Sequence, residues 1–345
     1  MNMQTIEMLQ LLTQSTGVSG AEEQAVACAA NLVKDLGETY VTPLGSLVCK
    51  VKTAGPEKPH IMLNAHIDEI GMIVTRIDKK GFLKVSRVGG IDRRMVLSSP
   101  VVVHTENGDF RGVVGSTPPH LQQGKERKNP TLDEIYLDMG FDNKEEAQAN
   151  IPLGSIVSFE GPMANLKNGL VCGKAMDDRC CCVSMIQACK MLKEMDTGCS
   201  VTLMLSAMEE TGGEGAQTAA FGIDPTHSIV MDVTFASAPD MSKEKYPELA
   251  NGPTISCGGA QDSKMFRQLL ETAKEHNIPY TLEASGGNGV SGTDAAGIVN
   301  RRAGIRTAII GLPLRNMHTP VEVISVEALD HAANLVANFV AKYIR

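Results

Sequence analysis

Hydrophobic and polar positions divide the chain into three stretches with different periods. Residues 1–73 alternate between amphipathic helical segments and short apolar strands. From about residue 74 to residue 164, short alternating runs are separated by turns that contain Gly and Pro, which is typical of β-structure. Helices and apolar strands alternate again from residue 165 onward. The pattern predicts an α/β domain of residues 1–73 and 165–345, with a β-rich domain of residues 74–164 inserted into it.

The same pattern places the individual elements of the α/β part. Ser19 and Glu22 have the spacing of a capping box, so a helix is predicted from this point to Val33. The main predicted strands are 61–65, 201–206, 228–232 and 307–310, and the main predicted helices are 178–195, 264–275 and 326–343. Alternation of this kind favours a sheet that is covered by helices.

Length and composition exclude several classes of protein. A chain of 345 residues is longer than one ordinary core and suits two domains of roughly 100–200 residues each. With 43% hydrophobic and 21% charged residues, a fibrous or globally disordered chain is excluded. The 40 acidic residues exceed the 32 basic ones, so phosphate backbones and anionic lipids are not attracted in general. We expect neither nucleic acid nor a membrane as a partner.

The N-terminal segment and the cysteines indicate a compartment. No Lys or Arg precedes Lys34, no apolar signal-peptide core is present, and no run of 18 apolar residues occurs. Three of the nine cysteines, Cys180, Cys181 and Cys182, are consecutive within a predicted helix. Adjacent cysteines in a helix do not suit an extracellular disulfide framework, so reduced thiols and a cytoplasmic location are predicted.

Candidate chemistry begins directly after the predicted strand 61–65. Alternation places His66 and Asp68 on the same side of the chain. One of them could bind a metal while the other accepts the second ring N–H and fixes the imidazole. A hydrogen-bonded surface histidine explains the same pair equally well.

Two pairs of adjacent carboxylates also lie at the ends of predicted elements. Asp177 and Asp178 precede an apolar helix, where they could cap the helix, or one of them could bridge two cations. Glu209 and Glu210 follow the strand 201–206 and precede a Gly-rich loop. They could belong to a solvated turn, or one could bind metal while the other acts as an uncoordinated general base.

Asp232 and His318 complete the set. Asp232 ends an apolar strand and could be a simple turn carboxylate, and His318 lies in a loop and could simply be exposed. Taken together, however, two imidazoles and three carboxylates are a suitable ligand set for two divalent cations that share a bridge. Such a centre activates water and stabilises a developing oxyanion. The combination predicts a hydrolytic dinuclear site.

The chain resembles the tetrahedral aminopeptidases, a family of dinuclear metallopeptidases that includes glutamyl and deblocking aminopeptidases. Some members of that family carry the label cellulase or endoglucanase. The resemblance extends over nearly the whole sequence and rests on ordered motifs. They are AHIDEIG (65–71), VGGID (88–92), GVVGSTPPHL (112–121), YLDMGF (136–141), GKAMDDR (173–179), AMEETGGEGA (207–216), MDVT (231–234), SGTDA (291–295) and LPLRNMHTPVEVIS (312–325).

The resemblance implies a role for each residue of the set. His66, Asp177 and Asp232 would bind one metal ion, and Asp177, Glu210 and His318 the other, with Asp177 as the bridge. Glu209 would be the general base, and Asp68 would orient His66. Two divalent ions per subunit are implied, with zinc preferred over cobalt or manganese. The implied reaction is metal-dependent removal of N-terminal residues from peptides.

The resemblance also implies an architecture. A zinc-peptidase-like catalytic domain would have a mixed central sheet flanked by helices, and the insert would be PDZ-like or barrel-like. The insert would act as lid and dimerisation domain, and dimers would assemble into a tetrahedral dodecamer. A metal-dependent deacylase or carboxypeptidase would use the same ligands with another pocket and is the alternative. A glycosidase would instead need two carboxylates across a sugar ring and no metal.

Three other features could bear on function. His120 lies in the insert and could reach an active site or be structural. Arg315 could favour acidic substrates or form a structural ion pair. Thiolates at Cys180, Cys181 and Cys182, beside the proposed bridge, would make the enzyme sensitive to oxidation.

Overall fold

The computed structural model describes residues 3–115, 131, 134–239, 241, 246–285 and 292–345, and His120 lies outside these ranges. Within them the strands are β1 (Glu38–Val41), β2 (Leu47–Lys52), β3 (His60–His66), β4 (Gly71–Ile77), β5 (Leu83–Val88), β6 (Pro100–Thr105), β7 (Gly108–Val114), β8 (Leu137–Asp138), β9 (Ile156–Phe159), β10 (Ala164–Asn165), β11 (Leu170–Gly173), β12 (Ser200–Ser206), β13 (His227–Phe235), β14 (Thr254–Gly258), β15 (Thr281–Ser285), β16 (Arg306–Leu314) and β17 (Glu322–Ser325). The helices are α1 (Met3–Gln14), α2 (Glu23–Val33), α3 (Arg93–Val96), α4 (Lys144–Asn150), α5 (Met176–Glu194), α6 (Glu214–Ile223), α7 (Ser263–Glu275), α8 (Ala295–Ile298) and α9 (Val326–Tyr343).

A mixed eight-stranded sheet forms the centre of the molecule. Its strand order is β1-β2-β12-β3-β13-β16-β14-β15, and the four strands β12, β3, β13 and β16 are parallel neighbours. Alternation along β3 sends Ile61 and Leu63 to the core formed with α5 and α9, and Met62 to the core formed with α6 and α8. The predicted α/β class, with a mixed sheet flanked by helices, is confirmed.

The inserted part forms a closed barrel. Its strand order is β4-β5-β8-β7-β6-β9, and its strands run from Gly71 to Phe159. Alternating residues of these strands, such as Leu83, Val103 and Val157, fill an apolar interior. The insert is therefore barrel-like, and the predicted domain limits at residues 74 and 164 stay a prediction.

The predicted capping box at Ser19 is wrong. Helix α2 begins at Glu23, and Ser19 lies in the preceding loop. The Ser19 hydroxyl donates a 2.5 Å hydrogen bond to Oδ2 of Asp68 instead of capping the helix. The hydroxyl group that would have capped the N-terminus of α2 is therefore hydrogen-bonded to the buried carboxylate of Asp68.

None of the helices in the described part of the chain combines the length and the apolar composition that crossing a bilayer requires.

Candidate metal centre

The parallel strands bring the predicted residues to one edge of the large sheet. His66 is the last residue of β3, and Asp232 lies within the C-terminal half of β13. Glu209 and Glu210 follow β12, whose last residue, Ser206, pairs with His66. Because parallel strands end at the same edge, these side chains converge, as open α/β sheets allow for their sites.

Asp177 lies between the two histidines. Its Oδ1 is 3.1 Å from Nε2 of His66, and its Oδ2 is 3.3 Å from Nε2 of His318. The two oxygens of one carboxylate therefore face two different imidazoles. This is the arrangement that a bridging ligand between two cations requires.

The remaining predicted ligands complete two groups of donors. Oε1 of Glu210 lies 3.3 Å from Nε2 of His318, on the side of the second histidine. Oδ1 of Asp232 lies 4.0 Å from Nε2 of His66, on the side of the first. Oε2 of Glu209 is 3.9 Å from the same nitrogen of His66. The structure thus brings together all the residues that the sequence analysis singled out for the two metals and the base.

Asp68 supports both parts of the centre. Its Oδ1 is 3.4 Å from Nδ1 of His66, and its backbone oxygen is 3.2 Å from the same atom. Its two carboxylate oxygens also accept the backbone N–H groups of Glu209 and Glu210, each at 3.1 Å. One fully buried carboxylate therefore fixes both the imidazole and the turn that carries the two glutamates.

Glu322 plays a comparable part that the sequence analysis missed. Its Oε2 accepts the backbone N–H of Asp177 at 3.0 Å, and its Oε1 accepts the backbone N–H of His318 at 2.8 Å. The side chain is buried and lies at the start of β17. In the sequence, the signal for Glu322 was its position within the motif LPLRNMHTPVEVIS (312–325). The two N–H groups that it accepts can be identified only from the tertiary fold.

A second missed group lies behind the centre. Glu69 accepts two hydrogen bonds from Nζ of Lys174, at 2.8 and 2.7 Å, and one from Nη2 of Arg179 at 3.2 Å. Arg179 is fully buried, and its guanidinium also donates to the backbone oxygens of Ile67 and Leu12. This network ties the end of α1 and the turn after β3 to the start of α5.

Negative charge is crowded at the centre. Burial and neighbouring carboxylates raise the pKa of Glu209 to about 8 and that of Asp232 well above its usual value. Burial alone would lower the pKa of His318, but hydrogen bonds to Asp177 and Glu210 raise it to about 11. The imidazoles of His318 and His66 lower the pKa of Asp177, although burial of its carboxylate acts in the opposite direction. The raised pKa values of Glu209 and Asp232 reflect a site that has more negative than positive charge.

The donor set fits divalent cations. His66, Asp177 and Glu210 offer ligand atoms that all lie within 4.8 Å of one another, and so do His66, Asp178 and Asp232. Imidazole nitrogens and carboxylate oxygens are ligands that Zn²⁺ uses. A cavity of about 740 Å³ lies beside these donors, and its described lining residues include no Lys or Arg that would balance the carboxylates.

Two large cavities adjoin the centre. The larger one, of about 740 Å³, is bounded by the proposed ligands and by residues of β13, β14, β15 and β16. The other, of about 390 Å³, shares Glu209 with the first and is also bounded by Asp294 and Arg301. Glu209 therefore lies where both spaces meet, next to the histidine and the carboxylates.

Arg315 lies apart from this chemistry, whereas the cysteine run lies directly beside it, with Sγ of Cys182 donating to the backbone oxygen of His66 at 3.0 Å. Nη2 of Arg315 is 3.5 Å from Oε2 of Glu248, and its Nε donates to a backbone oxygen, so it forms the structural ion pair. Cys181 and Cys182 are fully buried, and burial raises the pKa of both thiols well above its usual value. The predicted sensitivity of the cysteine run to oxidation stays a prediction.

The comparisons agree with this geometry. Residues 45–335 match the family described as M42 glutamyl aminopeptidase. A lysyl aminopeptidase of Pyrococcus furiosus is 33% identical over 334 residues, which are 95% of this chain and 94% of the relative.

Solved structures show the same architecture. A TET aminopeptidase from the marine sediment archaeon Thaumarchaeota archaeon SCGC AB-539-E09 superposes with a TM-score of 0.92 and 28% identity, covering 99% of this chain and 96% of that one. The TET1 peptidase of Pyrococcus horikoshii superposes with a TM-score of 0.86 and 28% identity, covering 98% and 99%. That peptidase can assemble into a tetrahedron or a large octahedral shell.

The predicted resemblance and the predicted aminopeptidase activity are confirmed by these findings, and the deacylase or carboxypeptidase alternative is not favoured. The fold, the order of the motifs and the extent of the match agree. The chain belongs to the M42 glutamyl aminopeptidase family of metallopeptidases.

Proposed function

We propose that this aminopeptidase removes N-terminal residues from peptides with two divalent cations per subunit. The observation that carries the proposal is the position of Asp177, whose two carboxylate oxygens face His66 and His318 at 3.1 and 3.3 Å. His66, Asp177 and Asp232 would hold one ion, and Asp177, Glu210 and His318 the other. Zinc suits this mixture of imidazole and carboxylate donors, and cobalt or manganese could take the same ligands.

Glu209 is the proposed general base. It lies beside the ligands, where its carboxylate takes a proton from the attacking water and passes it to the leaving amine. Oε2 of Glu209 lies 3.9 Å from Nε2 of His66, close to both sets of proposed ligands without belonging to either. Bound cations would lower the pKa of water and stabilise negative charge on the peptide carbonyl oxygen. Asp68 keeps the imidazole of His66 and the backbone of Glu209 in place.

The barrel is proposed to act as a lid and as a dimerisation domain. The turn after β5 lies against the centre, since a Cβ atom at Gly90 would come within 2.8 Å of Nδ1 of His318. A Cβ atom at Gly89 would come within 3.2 Å of Cβ of Glu210. These contacts support a barrel that covers one side of the site.

Assembly into a tetrahedral dodecamer of dimers and a cytoplasmic location are part of the same proposal. The first is supported by the shells that the similar TET1 peptidase forms, and the second by the nine free cysteines. A particle mass twelve times that of the 36.8 kDa chain, measured by light scattering, is the expected result for assembly. A monomeric or dimeric mass would contradict the shell.

Metal content and activity together test the centre. We expect two ions per chain in the purified protein, and loss of activity on chelation with recovery on adding Zn²⁺ or Co²⁺. The variants Asp232→Asn and His318→Ala should each keep one ion, while Asp177→Asn should retain neither firmly. A panel of aminoacyl anilides and N-acyl amino acids, measured on the same samples, separates aminopeptidase from deacylase activity. One ion per chain in the wild type would contradict the two-metal proposal.

A further inference from the structure

A carboxylate outside the metal centre lies in the wall of the larger cavity. Glu283, on β15, accepts hydrogen bonds from three hydroxyl groups. They come from Thr234 on β13 at 3.1 Å, Thr254 on β14 at 2.9 Å and Ser256 on β14 at 3.3 Å. Three donors from two strands hold this side chain in one position without neutralising its charge.

The sheet register shows that Glu283 shares a face with the centre. Gly311 on β16 pairs with Asp232 on one side and with Thr254 on the other. Ser256, two residues beyond Thr254, pairs with Glu283. Since directly paired residues and residues two apart point to the same face, the row leads from a proposed metal ligand to Glu283.

Gly311 leaves the space that this row needs. A Cβ atom at Gly311 would come within 2.3 Å of Oγ1 of Thr254 and 3.1 Å of Cγ2 of Thr234. Without a side chain there, the two threonines approach each other across β16, and the carboxylate of Glu283 reaches Thr234. Thr234 is two residues from Asp232, a separation of about 6.6 Å along the strand.

The charge of this wall is one-sided. Glu283 is the one charged residue, besides the proposed ligands and Glu209, among the described residues that bound the larger cavity. Within the described ranges, no Lys, Arg or His forms an ion pair with it. Arg315, the cation that would have favoured acidic substrates, is paired with Glu248 outside this cavity. A cationic group entering the cavity would meet a preorganised anion.

We propose that Glu283 gives the enzyme a preference for a basic N-terminal residue, lysine or arginine. The inference rests on the proposed function, which places the scissile peptide bond at His66, Asp177 and Asp232. Lysine carries its ammonium group on a flexible four-carbon stem, and Thr234, which contacts the carboxylate at 3.1 Å, bounds the same cavity as the proposed ligands. Ile309, Phe235 and Met317 also bound the cavity and offer apolar surface to that stem.

The competing assignment is an acidic residue held by a cation. Arg301 bounds the smaller cavity, on the other side of Glu209, and its Nε donates to the backbone oxygen of Gly297. If the first side chain entered that cavity, glutamyl substrates would be preferred. The two assignments therefore predict opposite orders of substrates.

The test compares lysine with norleucine, whose side chain has the same methylene stem without the ammonium group. Using lysyl, norleucyl and glutamyl anilides with the metal-loaded wild type, we expect kcat/KM for lysine to exceed that for norleucine about 10- to 100-fold, as a charge-assisted hydrogen bond allows. Glu283→Gln, which keeps the shape, should reduce this ratio of the two kcat/KM values to about one. Glu275→Gln, at an exposed glutamate on α7, is the charge-matched control and should retain the ratio.

Inhibition of the wild type keeps the test independent of the variant's folding. Lysinamide should inhibit cleavage of the norleucyl anilide about 10- to 100-fold more strongly than norleucinamide does. Equal inhibition, or a lysine preference that survives in Glu283→Gln, would overturn the inference while leaving the aminopeptidase intact. A preference for the glutamyl anilide would support the Arg301 cavity instead and also overturn it. If none of the anilides is cleaved by metal-loaded enzyme, the proposed function itself fails.

Discussion

Side chains are buried both inside the barrel and at the carboxyl edge of the large sheet, but the two sets have opposite compositions. Between residues 71 and 159, the buried polar side chains of the described residues are three serines, Ser99, Ser155 and Ser158, and the rest of the interior is apolar. The sheet edge instead buries ionisable groups from several elements. They are Glu22, His66, Asp68, Glu69, Lys174, Asp177, Asp178, Arg179, Asp232, Asp294 and Glu322.

The contrast separates an apolar region that stabilises the fold from the region proposed to perform the chemistry. Burying apolar surface favours folding, whereas burying a charge costs free energy unless partners compensate for it. Glu69 has such partners in Lys174 and Arg179, but Asp178 and Asp232 have raised pKa values because burial and nearby carboxylates disfavour their charge. We therefore expect substitutions at the sheet edge to affect activity more than stability, and substitutions in the barrel to do the reverse.

The largest expected effect is on activity at the sheet edge. Glu209→Gln keeps the size of the side chain and removes the proton acceptor, so kcat should fall about 10²- to 10⁴-fold. The thermal midpoint should not fall, because the amide relieves the crowding of negative charge. Steady-state kinetics and calorimetry on the same preparation measure both. A loss of less than about tenfold in kcat would show that another group takes the proton.

The opposite result is expected in the barrel. Leu83 is fully buried in the barrel core, so Leu83→Ala should lower the free energy of unfolding by about 2–5 kcal/mol. Because Leu83 does not touch the centre, kcat per folded molecule should stay within a factor of about two. Denaturant titration and active-site-normalised kinetics measure the two quantities. A large loss of kcat in the folded variant would mean that barrel packing and chemistry are coupled, which would erase the contrast.

The periodicity of apolar residues predicted the main helices and strands of the α/β part. Helix 326–343 was predicted and is observed as α9 (Val326–Tyr343), and strand 61–65 was predicted and is observed as β3 (His60–His66). The first predicted ligand, His66, lies at the end of that strand. Apolar periodicity is local, so it can be recognised in one sequence without knowledge of the tertiary contacts.

Residues that act through tertiary contacts were not predicted. Ser19 has the spacing of a helix cap, but a carboxylate 49 positions away takes its hydroxyl. Glu283 and Glu322 each occupy a polar position in a short strand, which in sequence resembles a solvent-facing residue. Only the pairing of β15 with β14, and of β17 with β11, shows which face they occupy.

The smallest expected effect concerns the support of the proposed metal ligands. In Glu322→Gln, one oxygen that accepts a backbone N–H becomes an NH₂ group, so Asp177 or His318 loses its partner. Supporting hydrogen bonds of this kind are worth about 10- to 100-fold in metal affinity. We therefore expect a dissociation constant raised by that factor, measured by competition with a chelator.

A matched control and a second readout distinguish positioning from general destabilisation. Glu327→Gln, at an exposed glutamate on α9, should leave metal affinity unchanged. If Glu322 acts by positioning, saturating metal should restore most of kcat in Glu322→Gln, because the amide still accepts one of the two N–H groups. A drop in thermal midpoint with unchanged metal affinity would instead assign Glu322 to the fold. That result would place this buried carboxylate with the stabilising part of the molecule and narrow the reactive region to the ligands, Asp68 and Glu209.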